Sequence, residues 1–211
     1  MKSDIFATEL NRIQNEAVRK SAIYLLEQLP EYFYHVPASS SGKHHPDFSL
    51  GEGGLVRHVK VACRIAEELF RNKVYGTYSD YEKDLIRTAV LLHDGLKNGL
   101  EDCGHTVIEH PLLMVDFLYN NINNLDIPIE DIQTIARLIS THMGPWTQNQ
   151  EGKDILRAPQ SLDEILVHTC DYFASRKVIS VKFINNEIYE DDRKEYSGNK
   201  RVYDHDQFTK K

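Results

Sequence analysis

An all-α helical bundle is the fold this sequence predicts. Apolar residues recur three and four positions apart in successive stretches, these stretches begin and end at residues that start or stop helices, and no internal repeat or linker divides the chain. With 211 residues and a hydrophobic share of 41%, a single core is the expected outcome. The helical domain is expected over residues 1–184, with its core over about 30–180. Residues 185–211 read as a charged appendage that forms either a short hairpin or a flexible tail.

Residues 4–29 place Ile5, Leu10, Ile13, Ala17, Ile23, Leu26 and Leu29 at mostly helical spacing, and Pro30 stops the pattern, so one amphipathic helix is expected there. Residues 36–46, VPASSSGKHHP, hold too many prolines, serines and glycines for regular structure and read as a loop. Ser39, Ser40, Ser41, Lys43, His44 and His45 give that loop hydroxyl, ammonium and imidazole donors suited to phosphate oxygens.

The next helix opens near Gly51, carries His58 in its first turns and runs to about Phe70 on a stripe of Val59, Ala62, Ile65, Ala66 and Leu69. Ser79 or Asp80 caps the following helix, whose apolar run of Ile86, Ala89, Val90, Leu91 and Leu92 ends abruptly in His93-Asp94. Lys97 falls on the same face as that pair, while Gly95 and Gly99 mark the helix end.

His110 precedes Pro111, a residue suited to the first helical position, and a helix follows through Leu118. A helix over residues 129–141 carries Ile132, Ile135, Leu138 and Ile139, and His142 continues its stripe. Residues 147–157 read as an exposed loop. Ser161 and Glu164 form a capping box for a last helix that turns Leu162, Ile165, Leu166 and Thr169 inward and holds Asp171 near the apolar face. His168, one turn earlier, reads as a core histidine or a partner of a site residue. Around a turn at residues 197–199, Ile188-Tyr189 and Val202-Tyr203 are the strand candidates of a hairpin.

Lys and Arg number 25 against 32 Asp and Glu, a net charge of −7. That balance argues against the broad basic face of an extended nucleic-acid binder and leaves small anionic substrates, held by a few placed cations. Cys63, Cys103 and Cys170 are odd in number and far apart, as buried free thiols of a reducing compartment would be. The first residues lack an apolar signal-peptide core and no membrane-length apolar run occurs, so a cytoplasmic protein without a membrane partner is expected.

His58, His93, Asp94, His110, His142 and Asp171 each fall at an end or on the inward side of an expected helix. Buried carboxylates need a compensating charge, and four imidazoles with two carboxylates form the donor set for two divalent metals. Asp94 has two oxygens to bridge them, with His58, His93 and Asp171 on one ion and His110 and His142 on the other.

In their order, His58, His93-Asp94 and Asp171 resemble the H…HD…D signature of the HD-domain superfamily, and His110 and His142 are similar to the additional histidines of its two-metal members. GGLVRH at residues 53–58 is similar to the GGLxxH segment in the HD domain of bacterial 3′-to-5′ exoribonucleases. Departures are equally visible. The family often reads HDxGK where this chain has His93-Asp-Gly-Leu-Lys97, Met143 stands where many members have a second consecutive histidine, and no Gly-Tyr-Pro signature or nucleic-acid-binding barrel is present.

The resemblance implies an HD-type helical bundle that hydrolyses a phosphoester of a nucleotide or related small phosphate compound, an oligonucleotide included, with a metal-activated water. Asp94 and Lys97 are the expected catalytic residues, and Lys97 also joins the loop donors in holding phosphate. Two divalent ions are expected, and imidazole with carboxylate does not choose among iron, manganese, cobalt, nickel, zinc and magnesium. The alternatives are a di-iron oxygenase resembling inositol oxygenase and a 3′-to-5′ exonuclease-like activity. A catalytically silent interaction module is disfavoured because every metal position is retained.

Overall fold

A computed structural model of the chain describes residues 1–39, 42–43 and 45–189. It is an all-α bundle. After a 3-10 turn at Lys2–Phe6 come α1 (Ala7–Leu10), α2 (Glu16–Gln28), α3 (Gly54–Leu69), α4 (Asp80–Leu92), α5 (His110–Asn120), α6 (Ile129–Ser140) and α7 (Leu162–Ala174). Two short strands, β1 (Phe183–Ile184) and β2 (Glu187–Ile188), complete the described elements. Among the described residues no helix is long and apolar enough to cross a membrane.

Helix α4 is the hub, with α2, α3, α6 and α7 all packed against it. That position explains its composition, because Leu85, Ile86, Ala89, Val90, Leu91 and Leu92 bury side chains in several directions at once. Ser79 provides its start: the hydroxyl accepts from the Glu82 N–H, and the Glu82 carboxylate accepts from the Ser79 N–H. Beyond Leu92 the backbone tightens into i→i+3 turns, with Gly95 N–H on Leu92 O and Lys97 N–H on Asp94 O. The hub helix therefore delivers His93 and Asp94 at its end, and the turn keeps Lys97 beside them.

The start of α3 requires its glycines. Gly53 has φ +66°, and a Cβ on Gly54 would stand 2.2 Å from the Ser49 carbonyl oxygen, so a side chain there would push away the preceding loop. Close approach of that loop to α3 sets the surroundings of His58.

Four expectations are corrected by the fold, the first at α7, where Leu162 and Ile165 are exposed and Leu166, Val167 and Cys170 face the core. Residues 4–29 do not form one helix, because Asn15 caps α2 by accepting from the Val18 N–H while its own N–H donates to Asp84 on α4 (2.7 Å). That tie to Asp84 fixes a break between α1 and α2 and still leaves Ile13 fully buried. Ile188 pairs with Phe183, and the turn between the strands is Asn185-Asn186, both at positive φ (50° and 61°), the conformation of a two-residue type I′ hairpin. Val202 and Tyr203 lie outside the described residues, as does all of the tail from residue 190. Cys63 and Cys170 are buried free thiols, whereas Cys103 is exposed in the turn after Lys97.

The hairpin straddles residue 184 and is fastened to the bundle through a buried cation. Lys60 on α3 is fully buried, and its Nζ donates to Glu9 (3.1 Å) and to Glu187 on β2 (2.7 Å).

Candidate metal centre

Six side chains from five helices or their ends meet in the interior. His58 comes from α3, His93 and Asp94 from the end of α4, His110 from the first position of α5, His142 from just beyond α6, and Asp171 from α7. Donor atoms of His58, His93, Asp94 and Asp171 form one group, those of Asp94, His110 and His142 a second, and within each group they lie within 4.8 Å of one another. Asp94 belongs to both.

Distances show how closely the donors converge. His58 Nε2 is 3.1 Å from Asp171 Oδ1 and 3.5 Å from Asp94 Oδ2, and His93 Nε2 is 3.4 Å from Asp94 Oδ2 and 3.6 Å from Asp171 Oδ1. On the other side His110 Nε2 is 3.2 Å and His142 Nε2 3.6 Å from Asp94 Oδ1. Donors about 2.1 Å from a shared ion at near-right to tetrahedral angles stand roughly 3.0–3.4 Å apart, and the shortest imidazole–carboxylate contact on each side, 3.1 and 3.2 Å, falls in that range while the longest are 3.6 Å, so both groups could hold a divalent metal.

Tautomers point the same way. The Nδ1 atoms of His93, His110 and His142 lie 2.7, 2.6 and 2.8 Å from the carbonyl oxygens of Val90, Val107 and Ile139. A carbonyl only accepts, so Nδ1 carries a proton in each ring and Nε2 is the atom turned into the cluster, where a divalent ion would take the place of any second proton. Each histidine sits where the chain leaves or enters a helix, and the carbonyl three residues earlier orients its ring; at Val107 and Ile139 that carbonyl also accepts the histidine's own N–H (3.2 Å in each case). His93 Nε2, Asp94 Oδ1 and His58 Nδ1 are buried without a hydrogen-bond partner among the described residues, a costly condition that a bound ion would relieve for the first two.

Charge also favours a cation here. Burial raises the carboxyls of Asp94 and Asp171, yet Lys97 with His93 outweighs it at Asp94, and His58 with His93 outweighs it at Asp171, holding both well below the usual carboxylate range. Burial lowers His93, but Asp94 and Asp171 together push it up to about 10. His58 and His110 are shifted downward, with burial the main cause. The pair of ionised carboxylates thus concentrates negative charge in a dry interior, and positive charge is drawn between them.

The loop residues divide. Lys97 is buried and its ammonium donates to Asp94 Oδ2. Ser39 is partly buried and its hydroxyl accepts from the Gly42 N–H (3.3 Å), while Lys43 is exposed. Ser40, Ser41 and His44 lie outside the described residues. Among the described loop residues His45 approaches the centre, with its ring centroid 6.0 Å from that of His58; burial and then His58 lower it to about 4. Arg57, one residue before His58, secures this approach by donating to Phe48 O (2.5 Å), Leu50 O (2.9 Å) and Asn186 Oδ1 (2.9 Å).

His168 is a partner of a site residue. Its Nδ1–H donates to the His142 carbonyl (2.8 Å), and Gly144, at φ +68°, leaves the space its ring occupies. Comparison of the chain with protein-family models, with curated proteins and with solved structures finds no match.

Proposed function

We propose that this chain is a metal-dependent phosphohydrolase of the HD type, acting on a phosphoester of a nucleotide or related small phosphate compound. The observation that carries the reading is the sharing of Asp94 between two converging donor groups, with the ammonium of Lys97 on the same carboxylate. Divalent ions held by these groups would polarise a phosphoryl oxygen and lower the pKa of a water toward neutrality.

The chain's own residues supply the rest. Asp94 offers one oxygen to each group, so it sets their spacing. Lys97 offsets the carboxylate charge and brings positive potential to the edge of the centre, where a phosphate arrives. His45 presents an imidazole beside His58, and Ser39 and Lys43 add polar groups in the same loop, which suits hydrogen bonding to phosphate oxygens. Buried aliphatic side chains of α3 and α4 exclude bulk water from behind the centre.

The test is metal analysis followed by a screen of nucleotides, cyclic nucleotides and short oligonucleotides for released phosphate or shortened product. Activity is expected to persist without oxygen and with a redox-inert divalent ion. Oxygen consumption coupled to substrate loss would replace this reading with a di-iron oxygenase on the same ligands.

A further inference from the structure

Trp146 is the only tryptophan in the chain and lies four residues past His142, with 49% of its surface open to solvent. Its indole runs nearly parallel to the Tyr172 ring, at a centroid separation of 6.1 Å and an interplanar angle of 14°. The Arg176 guanidinium stands 4.3 Å from the Tyr172 centroid, and the exposed Phe173 meets Tyr172 edge-on. Together they form a partly exposed aromatic platform, with the guanidinium over the Tyr172 ring and the Trp146 indole the more open surface.

This platform is continuous with the metal centre. His168 links the two, since its ring lies 6.1 Å from Trp146 and 5.8 Å from Tyr172 while its Nδ1–H holds the His142 carbonyl. Asp171 follows His168 by three positions, on the same side of α7, and precedes Tyr172. Asp171 is also where the centre opens: its side chain is 19% exposed, against at most 1% for His58, His93, Asp94, His110 and His142. A ligand entering along α7 meets the aromatic rings beside the carboxylate.

We propose that Trp146 and Tyr172 form a base-stacking subsite, on which the ring system of a nucleotide lies while its phosphate reaches the metal centre. The inference rests on the phosphoester reading and adds which other part of the substrate is held, and by what. Stacking suits this surface because every nucleobase has a π-face, so flat side chains grip it without reading its edge. Such a subsite favours nucleotides over sugar phosphates and tolerates different bases.

A single tryptophan makes the test direct. The metal-loaded chain is titrated with adenosine and uridine 5′-monophosphates, ribose 5-phosphate and inorganic phosphate, following Trp146 emission corrected for absorption by the base, with affinities from calorimetry. Both nucleotides are expected to change the emission saturably, and ribose 5-phosphate and phosphate to leave it unchanged. Trp146→Ala and Tyr172→Ala should each weaken nucleotide binding roughly tenfold or more. Trp146→Phe should retain most of it, and all three variants should keep their metal and the parent affinity for ribose 5-phosphate. Nucleotide affinities within twofold of the parent in both alanine variants, or ribose 5-phosphate binding the parent as tightly as the nucleotides, would overturn the subsite and leave the phosphoester reading standing. Failure of the parent to bind any of the four probes would overturn both.

Discussion

The Nε2 atoms of His110 and His142 face each other at 3.0 Å, although each ring has its Nδ1 committed to a carbonyl oxygen. Two neutral imidazoles in that arrangement would oppose lone pair to lone pair, with Asp94 Oδ1 a third acceptor nearby. The contact is stable only with positive charge between the rings, as a shared proton or as a metal ion. Buried acceptors brought together in this way are expensive unless something joins them, so this is a geometry that could hold a metal ion.

Because Asp94 serves both donor groups, Asp94→Ala should remove metal from both, whereas His142→Ala should deplete only the group it shares with His110. Metal stoichiometry on purified, folded variants checks this. Asp94→Asn is a useful companion, since it preserves shape and removes charge. Full metal occupancy in Asp94→Ala would contradict a shared carboxylate.

Gly144→Ala should perturb the same group from outside. An alanine at φ +68° costs roughly 1–2 kcal/mol in backbone strain, and its Cβ would stand 2.2 Å from His168 Cε1, so the ring that holds the His142 carbonyl must move. A lowered Tm and a loss of metal confined to the His110–His142 group are expected. Unchanged metal content would show that His168 does not position His142.

Much of this centre was legible in the chain. His93-Asp94 closes an apolar run that only a central helix would carry, Pro111 marks the helix start that orients His110, and the Ser161–Glu164 box sets the phase of α7 that turns Asp171 inward. The break before α2 was hidden because the Asn15 cap is tied to Asp84, sixty-nine residues away. Asn185-Asn186 was a readable turn signal, obscured by the charged residues around it. Nothing local marks His45 as a residue that approaches His58, and Trp146 meets Tyr172 only after α6 and α7 pack.

Lys60 gives a test of how the hairpin is held. Glu9→Ala leaves a fully buried ammonium with only the half-exposed Glu187, which should cost about 3 kcal/mol, the low end for breaking a buried pair. Combining Glu9→Ala with Lys60→Met removes the orphaned charge and should recover most of the loss. Urea unfolding of the two variants measures it, and equal destabilisation of both would contradict the role of the charge.

Glu164 carries the clearest pH dependence. Its carboxylate is 2% exposed and accepts from Arg157 (2.5 Å), the Gln160 N–H (2.7 Å), Arg137 (3.0 Å) and the Ser161 N–H (3.2 Å), tying α6 to the start of α7. Burial raises this carboxyl, but Arg157, the Gln160 amide and Arg137 outweigh it and bring it down to about 2 from an unfolded value of 4.5. A folded pKa below the unfolded one means stability that is fully present above pH 4.5 and lost as pH falls toward 2. Solvent at the half-exposed Arg137 and Arg157 screens these contacts, so the shift is worth about 1–2 kcal/mol at neutral pH. Glu164→Gln should therefore be less stable than the parent by about that amount at pH 7, and the gap should close progressively below pH 4.5. Other carboxylates titrate alike in both proteins and cancel in the difference. Denaturant unfolding of the pair from neutral pH to about pH 3 reads the gap, and a constant difference across that range would show that the arginine contacts do not hold the charge.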